Sequence, residues 1–212
     1  MRWIKQFLKL EVPFYIYKLK QGDSIIYINN NESFIILHGT MYISKIFKNK
    51  TTTALGILEA GNIINNQVPP TNCYYKTYAI TDTFLLSFKW EQLINYKHYN
   101  NQQLYIQLLE LHRLTIKKYE VMNTILSHKD VRNRVSQLIL TLLNDTGIIQ
   151  KTAVIIPYNI SQSIVSDITG STRSRINKIL RSFHHKQIIE YTYDKRISTK
   201  HPLMFIYSRS IK

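Results

Sequence analysis

Between Ser171 and Arg181 the chain sets out Ser171, Thr172, Arg173, Ser174, Arg175, Asn177, Lys178 and Arg181. These are hydroxyl, guanidinium, amide and ammonium groups, whose shared chemistry is hydrogen bonding to phosphates and base edges. Interleaved with them stand Ile176, Ile179, Leu180 and Phe183, spaced for one face of a helix. A helix apolar on one side and lined with Arg, Asn and Lys on the other is what a DNA major groove accepts.

Such a helix needs a partner to hold it. Upstream, Ile160, Ile164, Val165 and Ile168 recur at helical spacing, and Thr169-Gly170-Ser171 separates the two periodic runs. Gly170 can take the backbone angles of a tight turn, and Ser171 or Thr172 can cap the helix that follows. Downstream, Ile188–Tyr191, a turn at Thr192–Arg196 and then Ile197-Ser198 read as a hairpin. As the wing of a winged helix, that turn carries Lys195 and Arg196 to the phosphate backbone.

Charge agrees with this reading. The chain has 28 basic and 13 acidic residues, net +15, and its segment from His128 to Lys212 holds 14 basic against 5 acidic, net +9. The longer segment before it, 14 against 8, is only net +6. Runs such as Ile25–Asn31 show the Ile, Tyr and Asn enrichment of AT-rich coding, so the location of the charge counts for more than its total.

At 212 residues and 44% hydrophobic, the chain has room for one large domain or two small ones with packed cores. No apolar run is long enough for a membrane span, and Lys5 and Lys9 interrupt the apolar residues of the N-terminus, which does not read as a signal peptide. The lone Cys73 excludes an internal disulfide and a cysteine-rich metal site, and is expected to be a buried, inert thiol in a reducing compartment.

From Phe14 to Phe88 the sequence reads as short strands: Phe14–Tyr17, Ser24–Ile28, Phe34–Leu37, Met41–Phe47, Ala54–Leu58 and Thr83–Phe88. Turn signals at Gln21-Gly22-Asp23, Asn29–Asn31, His38-Gly39-Thr40, Ala60-Gly61-Asn62 and Pro69-Pro70 punctuate them, which predicts an antiparallel sandwich or roll. Asn100 to Leu126 contains neither Gly nor Pro and reads as one long helix with two rows of side chains. One row runs Leu104, Leu108, Leu111, Thr115, Lys118, Met122, Ile125. Beside it run Tyr105, Leu109, His112, Ile116, Tyr119, Asn123, Leu126. One can pack on the strands and the other on a second copy's helix. His128-Lys129-Asp130 is a hinge, and Val131–Leu143 a further helix closed by Gly147.

This order of elements resembles the Crp/Fnr superfamily of bacterial transcription regulators. The residues carrying the resemblance are Gln21-Gly22-Asp23, Leu37-His38-Gly39, Leu58–Asn62, the hinge stretch Leu126–Arg134 and Ile168–Arg173, and the last two look closest to its cyanobacterial nitrogen-regulator branch. The resemblance implies an α+β chain: a cupin-like, cyclic-nucleotide-binding-like antiparallel β-roll over residues 1–98, a long dimerisation helix over 99–127, and a winged helix-turn-helix DNA-binding domain over 128–212. It implies a homodimeric, sequence-specific activator on a palindrome of GTA and TAC half-sites, working with a bacterial-type RNA polymerase. AT-rich coding suits a plastid stroma; a bacterial cytoplasm is the alternative.

Within that resemblance, Arg173 matches the arginine that grips guanine O6 and N7, and Lys178 a second basic contact. Ser174 replaces the glutamate of the cyclic-AMP receptor branch, while Arg175 and Asn177 depart from the nitrogen-regulator pattern. The branch binds 2-oxoglutarate between roll and long helix through arginines, and those positions fall at Cys73 and Thr115 here. Lys76 and Arg113 are the nearby substitutes and Glu120 matches a family position; the turn Ile63-Ile64-Asn65-Asn66 lacks the expected glycine. A retained 2-oxoglutarate site and a vestigial pocket both stay open. Tyr75–Ala79 lacks the phosphate-binding signature of a cyclic-nucleotide site.

A catalytic cupin needs a His-x-His pair, but His38 stands alone and His184-His185 diverge around a helix, so no metal site is expected. No phosphate loop, nucleophile elbow or His-Glu-x-x-His motif appears, and no catalysis is expected. The remaining alternative is a roll that binds a ligand or partner after losing specific DNA recognition.

Overall fold

A computed structural model describes residues 2–27, 31–65, 72–95, 102–150, 152–202 and 204–207. The chain divides into two compact units, Met1–Met122 and Asn123–Lys212, so the boundary falls inside the long helix. The helical residues up to Met122 group with the strands, because Leu104, Leu108 and Leu111 are buried against them.

The first unit begins with α1 (Arg2–Lys9). Among the described residues eight strands follow: β1 (Tyr15–Leu19), β2 (Ser24–Tyr27), β3 (Glu32–His38), β4 (Thr40–Phe47), β5 (Thr52–Glu59), β6 (Ile63–Asn65), β7 (Cys73–Ala79) and β8 (Thr83–Lys89). Then come α2 (Trp90–Asn95) and α3 (Gln102–Ser127). Two antiparallel sheets, in the orders β1-β8-β3-β6 and β2-β7-β4-β5, make the roll. Phe34, Ile36, Met41, Ile43, Leu58, Ile64 and Leu85 form one core cluster, Phe7, Val12, Ile35, Leu86 and Phe88 with Leu104, Leu108 and Leu111 of α3 the other. The expected strands are present, and two more appear: β6 in place of a turn at Ile63–Asn65, and β7 running down the middle of its sheet. Part of the predicted second strand, Ile28, and the turns at Asn29-Asn30 and Pro69-Pro70 lie outside the described residues.

Two bulges tune the sheets. Ile43 faces Gly56 while Ser44 faces Ala54, so Leu55 is an extra residue on β5; Leu37 plays the same part on β3. On α3 the row from Leu104 through Thr115 to Met122 is buried, with Lys118 half-buried and paired to Glu59 at 3.1 Å. The neighbouring row shows Leu109 and Ile116 at 66% and 54% exposure.

The second unit comprises the end of α3, then α4 (Val131–Thr146), β9 (Ile148–Gln150) and β10 (Ala153–Ile155). After them come α5 (Gln162–Thr169), α6 (Arg173–His185), β11 (Glu190–Tyr191), β12 (Ile197–Thr199) and α7 (Met204–Tyr207). Asp130 caps α4 by accepting from the Arg132 amide, and Gly147 ends it in extended backbone. Val135, Leu138, Ile139 and Leu142 are buried, as their spacing predicts. The wing hairpin joins a four-stranded sheet, β11-β12-β10-β9, whose second hairpin has no forerunner in the sequence reading.

Candidate nucleic-acid interface

The side chains that could meet DNA depend first on the turn between α5 and α6. Ser161 caps α5, its Oγ accepting from Ile164 N–H at 3.2 Å, and Thr172 caps α6 by accepting from Arg175 N–H. Gly170 sits at φ +61°, ψ 43°, the left-handed conformation that a residue without Cβ adopts at least cost. Ile164, Val165, Ile168, Ile176, Ile179, Leu180 and Phe183 are all buried. Burial of both apolar stripes fixes which face of α6 turns outward.

Arg134 reinforces this turn. Its Nε donates to the His128 carbonyl at 2.7 Å and its Nη1 to the Thr169 carbonyl at 3.0 Å, so one guanidinium holds the turn between α3 and α4 to the end of α5. Arg132 lies over the Phe183 ring at 4.8 Å and donates to Ser182 Oγ at 3.3 Å. Both arginines fall in the hinge stretch, yet nothing in their spacing foretells these partners.

Between the start of α5, the outward face of α6 and the wing runs a groove of about 600 Å³. Arg173, Asn177 and Arg181 line it from α6 and Lys195 from the wing. Asn159, Ser161, Gln162, His184 and Tyr191 also line it and escape the sequence reading. Gln162 Nε2 lies 3.3 Å from Asn177 Oδ1, so the two helices present one continuous polar surface. No acidic side chain lines the groove among the described residues. Guanidinium and ammonium groups converging there suit an anion, and the polar amides suit base edges.

The other expected contacts take different positions. Ser174 and Lys178 are exposed on α6 outside the groove, Thr172 serves as the cap, and Ser171 is half-buried in the turn. Arg175 turns toward the N-terminus of α4, with Nη2 3.6 Å from Asp130 Oδ1. In the wing, Arg196 pairs with Asp194 at 2.8 Å. Lys195 holds the left-handed conformation at φ +60°, and this reversal sends the wing turn back on itself.

A second cavity, of about 240 Å³, lies within the first unit. Its lining is Ile43, Leu55, Ile63, Asn65, Tyr75, His112, Thr115, Ile116 and Tyr119. None of Lys76, Arg113 and Glu120 belongs to that lining. Lys76 follows Tyr75 on β7, and strand alternation puts successive side chains on opposite faces. Arg113, two residues before Thr115, is exposed and donates to Glu110, whose carboxyl it holds below the ordinary value. Glu120 is exposed. Cys73 is half-buried at the start of β7, opposite Phe47. Among the described residues no group of three or more His, Cys, Asp or Glu could hold a metal ion, and no helix is long and apolar enough to cross a membrane.

No protein-family model matches the chain. It is similar to ycf28 of Porphyra purpurea, assigned to the HTH-type transcriptional regulators, at 28% identity over 197 residues, covering 92% of this chain and 82% of that one. To the global nitrogen regulator of a Nostoc species it is 22% identical, covering 80% and 77% of the two chains. Among solved structures, a CooA mutant of Carboxydothermus hydrogenoformans matches with TM-score 0.73 at 17% identity, over 97% of this chain and 90% of that one. A CRP-family transcriptional regulator of Thermus thermophilus matches with TM-score 0.72 at 12% identity, over 92% and 97%. At these identities the structural matches establish the fold, a β-roll followed by a helix-turn-helix. The relatives are regulators, not enzymes.

Proposed function

We propose that this chain, a transcription regulator of Crp/Fnr type homologous to ycf28 and to the cyanobacterial global nitrogen regulators, acts as a homodimer that binds palindromic DNA and activates transcription in nitrogen control. The observation that carries the proposal is the groove in which Arg173, Asn177 and Arg181 of α6 meet Lys195 of the wing with no acidic side chain among its described lining. In this reading α6 enters the major groove, Arg173 grips a guanine, and Lys178, Lys195 and Arg196 neutralise phosphates.

Pairing through α3 is supported by its exposed apolar residues, Leu109 and Ile116 among them, which sit on the row beside the one buried in the roll. Two copies would set their recognition helices ~34 Å apart, one turn of DNA. The resemblance to the nitrogen-regulator branch implies GTA and TAC half-sites and a bacterial-type RNA polymerase as partner, and the ycf28 relative supports a plastid or cyanobacterial setting.

The test is fluorescence anisotropy with a GTA/TAC palindrome and a scrambled duplex at one near-physiological salt concentration. A preference of ~10³-fold or more is expected of operator recognition. Equal binding to both would mean that α6 reads another site, or that the chain coats DNA through charge alone.

A further inference from the structure

We infer that the cavity between the roll and α3 binds one small uncharged, ring-bearing molecule through the hydroxyls of Tyr75 and Tyr119, and that 2-oxoglutarate is not its ligand. The inference stands on this cavity alone and does not depend on the DNA-binding reading.

Charge decides against a dicarboxylate. Among the described lining residues there is no Lys, Arg, Asp or Glu. The neighbouring cations are committed elsewhere: Lys118 to Glu59 at 3.1 Å, Arg113 to Glu110 on the exposed side of α3. Lys76 stands on the strand face opposite Tyr75. Two carboxylates entering this space would give up water without meeting a counter-charge, which a buried ion does not tolerate.

The one titratable nitrogen base among the described lining residues, His112, is biased toward its neutral form. Trp90 Nε1 donates to Ser33 Oγ at 2.8 Å, and Ser33 Oγ donates to Asn65 Oδ1 at 2.9 Å. That fixes the Asn65 amide nitrogen toward the His112 ring, 3.4 Å from Nδ1. A donor aimed at a ring nitrogen asks for a lone pair there, so the relay favours the uncharged imidazole. Burial lowers the proton affinity of His112 in the same direction.

Of the remaining polar groups, Thr115 is spent inside the protein. Its hydroxyl accepts from Ile63 N–H and donates to the Leu111 carbonyl, each at 2.9 Å. The hydroxyls of Tyr75 and Tyr119 have no hydrogen-bond partner among the described residues, and both rings line the cavity. Burial pushes the Tyr119 phenol up to about 12, so it stays a neutral donor. Ile43, Leu55, Ile63 and Ile116 supply apolar walls. A cavity of ~150 Å³ holds a benzene ring, and about 240 Å³ therefore admits one ring with a small polar substituent.

Benzamide serves as the probe: it is uncharged, one ring in size, and its carbonyl accepts from a phenol. Ligand-observed NMR and thermal shift on the full chain are expected to show benzamide binding and raising Tm, while 2-oxoglutarate at the same millimolar concentration does neither. Tyr119→Phe keeps the ring and removes the hydroxyl, and is expected to weaken benzamide about tenfold; Tyr75→Phe should act alike. Binding of 2-oxoglutarate, failure of benzamide to bind, or full benzamide affinity in both Phe variants would each overturn the inference.

Discussion

Asn65 Nδ2 stands 3.4 Å from His112 Nδ1 and joins β6 to α3 through a run of hydrogen bonds that starts at the Trp90 indole, whose ring also stacks on His112 at 5.8 Å. The imidazole thus meets an amide nitrogen and an indole face, and burial outweighs the attraction of that face for a charged ring, favouring the neutral form.

The first prediction concerns pH. Burial holds His112 below its ordinary value of 6.5. When the medium falls below that value, the unfolded chain takes up a proton that the folded chain refuses, so the unfolded state gains. The contribution of His112 to stability is present above the ordinary value and is lost on acidification. His112→Gln removes it. Thermal unfolding of both proteins from neutral into weakly acidic buffer should show the gap in Tm narrowing as pH falls; a constant gap would mean that the ring is freely protonated in the fold.

Arg173 and Lys195 line the same groove but should fail differently. Arg173→Ala removes a base contact, with an expected cost of ~1–3 kcal/mol and relaxed preference at one half-site position. Lys195→Ala should weaken all duplexes alike and flatten the slope of log affinity against log salt by ~0.9 for each lysine lost. Titrations of a set of single-position operator variants at several salt concentrations separate the two. Intact preference in Arg173→Ala would remove this arginine from base reading.

Arg175 is placed to steady the start of α4. Its partner Asp130 also accepts the Arg132 amide proton as cap of α4, and both members of the ion pair are more than half exposed, at 59% and 51%. Asp130→Ala should cost ~1 kcal/mol through the cap, and a double-mutant cycle should give the pair less than ~1 kcal/mol. Arg175→Ala is expected to leave base preference unchanged. A changed preference would return it to the readers of the groove.

How much of this is legible in the sequence differs by element. The helix-turn-helix is, because one glycine and two apolar rows at helical spacing constrain both helices and the face they leave outside. Strands β1 to β5 and β8 of the roll are legible from their β-branched and aromatic residues and the turns between them. β7 is not: Cys73–Ala79 lies just past the Pro69-Pro70 turn signal and carries Lys76 among its tyrosines, so neither punctuation nor apolar content marks it as the middle of a sheet. α1 is hidden by Lys5 and Lys9, although Phe7 between them is fully buried. The cavity is the hardest to foresee. Leu55 belongs to its lining because a bulge makes it the extra residue on β5, and bulges follow from pairing, not from residue type. Proximity in sequence also misleads, since Lys76 and Arg113 neighbour lining residues yet occupy other faces of their strand and helix.

Gly56 tests how tightly the helix is seated on the roll. It lies on β5 beside the bulge, and a Cβ built on it would come within 2.8 Å of Tyr119 Cδ1. Its backbone can accept a side chain, so the demand for glycine is the closeness of that ring. Gly56→Ala should push the Tyr119 ring away from the sheet at a cost of ~1–3 kcal/mol, the usual range for overpacking. In a Tyr119→Leu background the clash disappears, and the same substitution should then cost less, about 0–1 kcal/mol. Urea unfolding of the four proteins gives the coupling. Equal costs in the two backgrounds would show that the ring has room to move, and that the contact does not hold α3 against the roll.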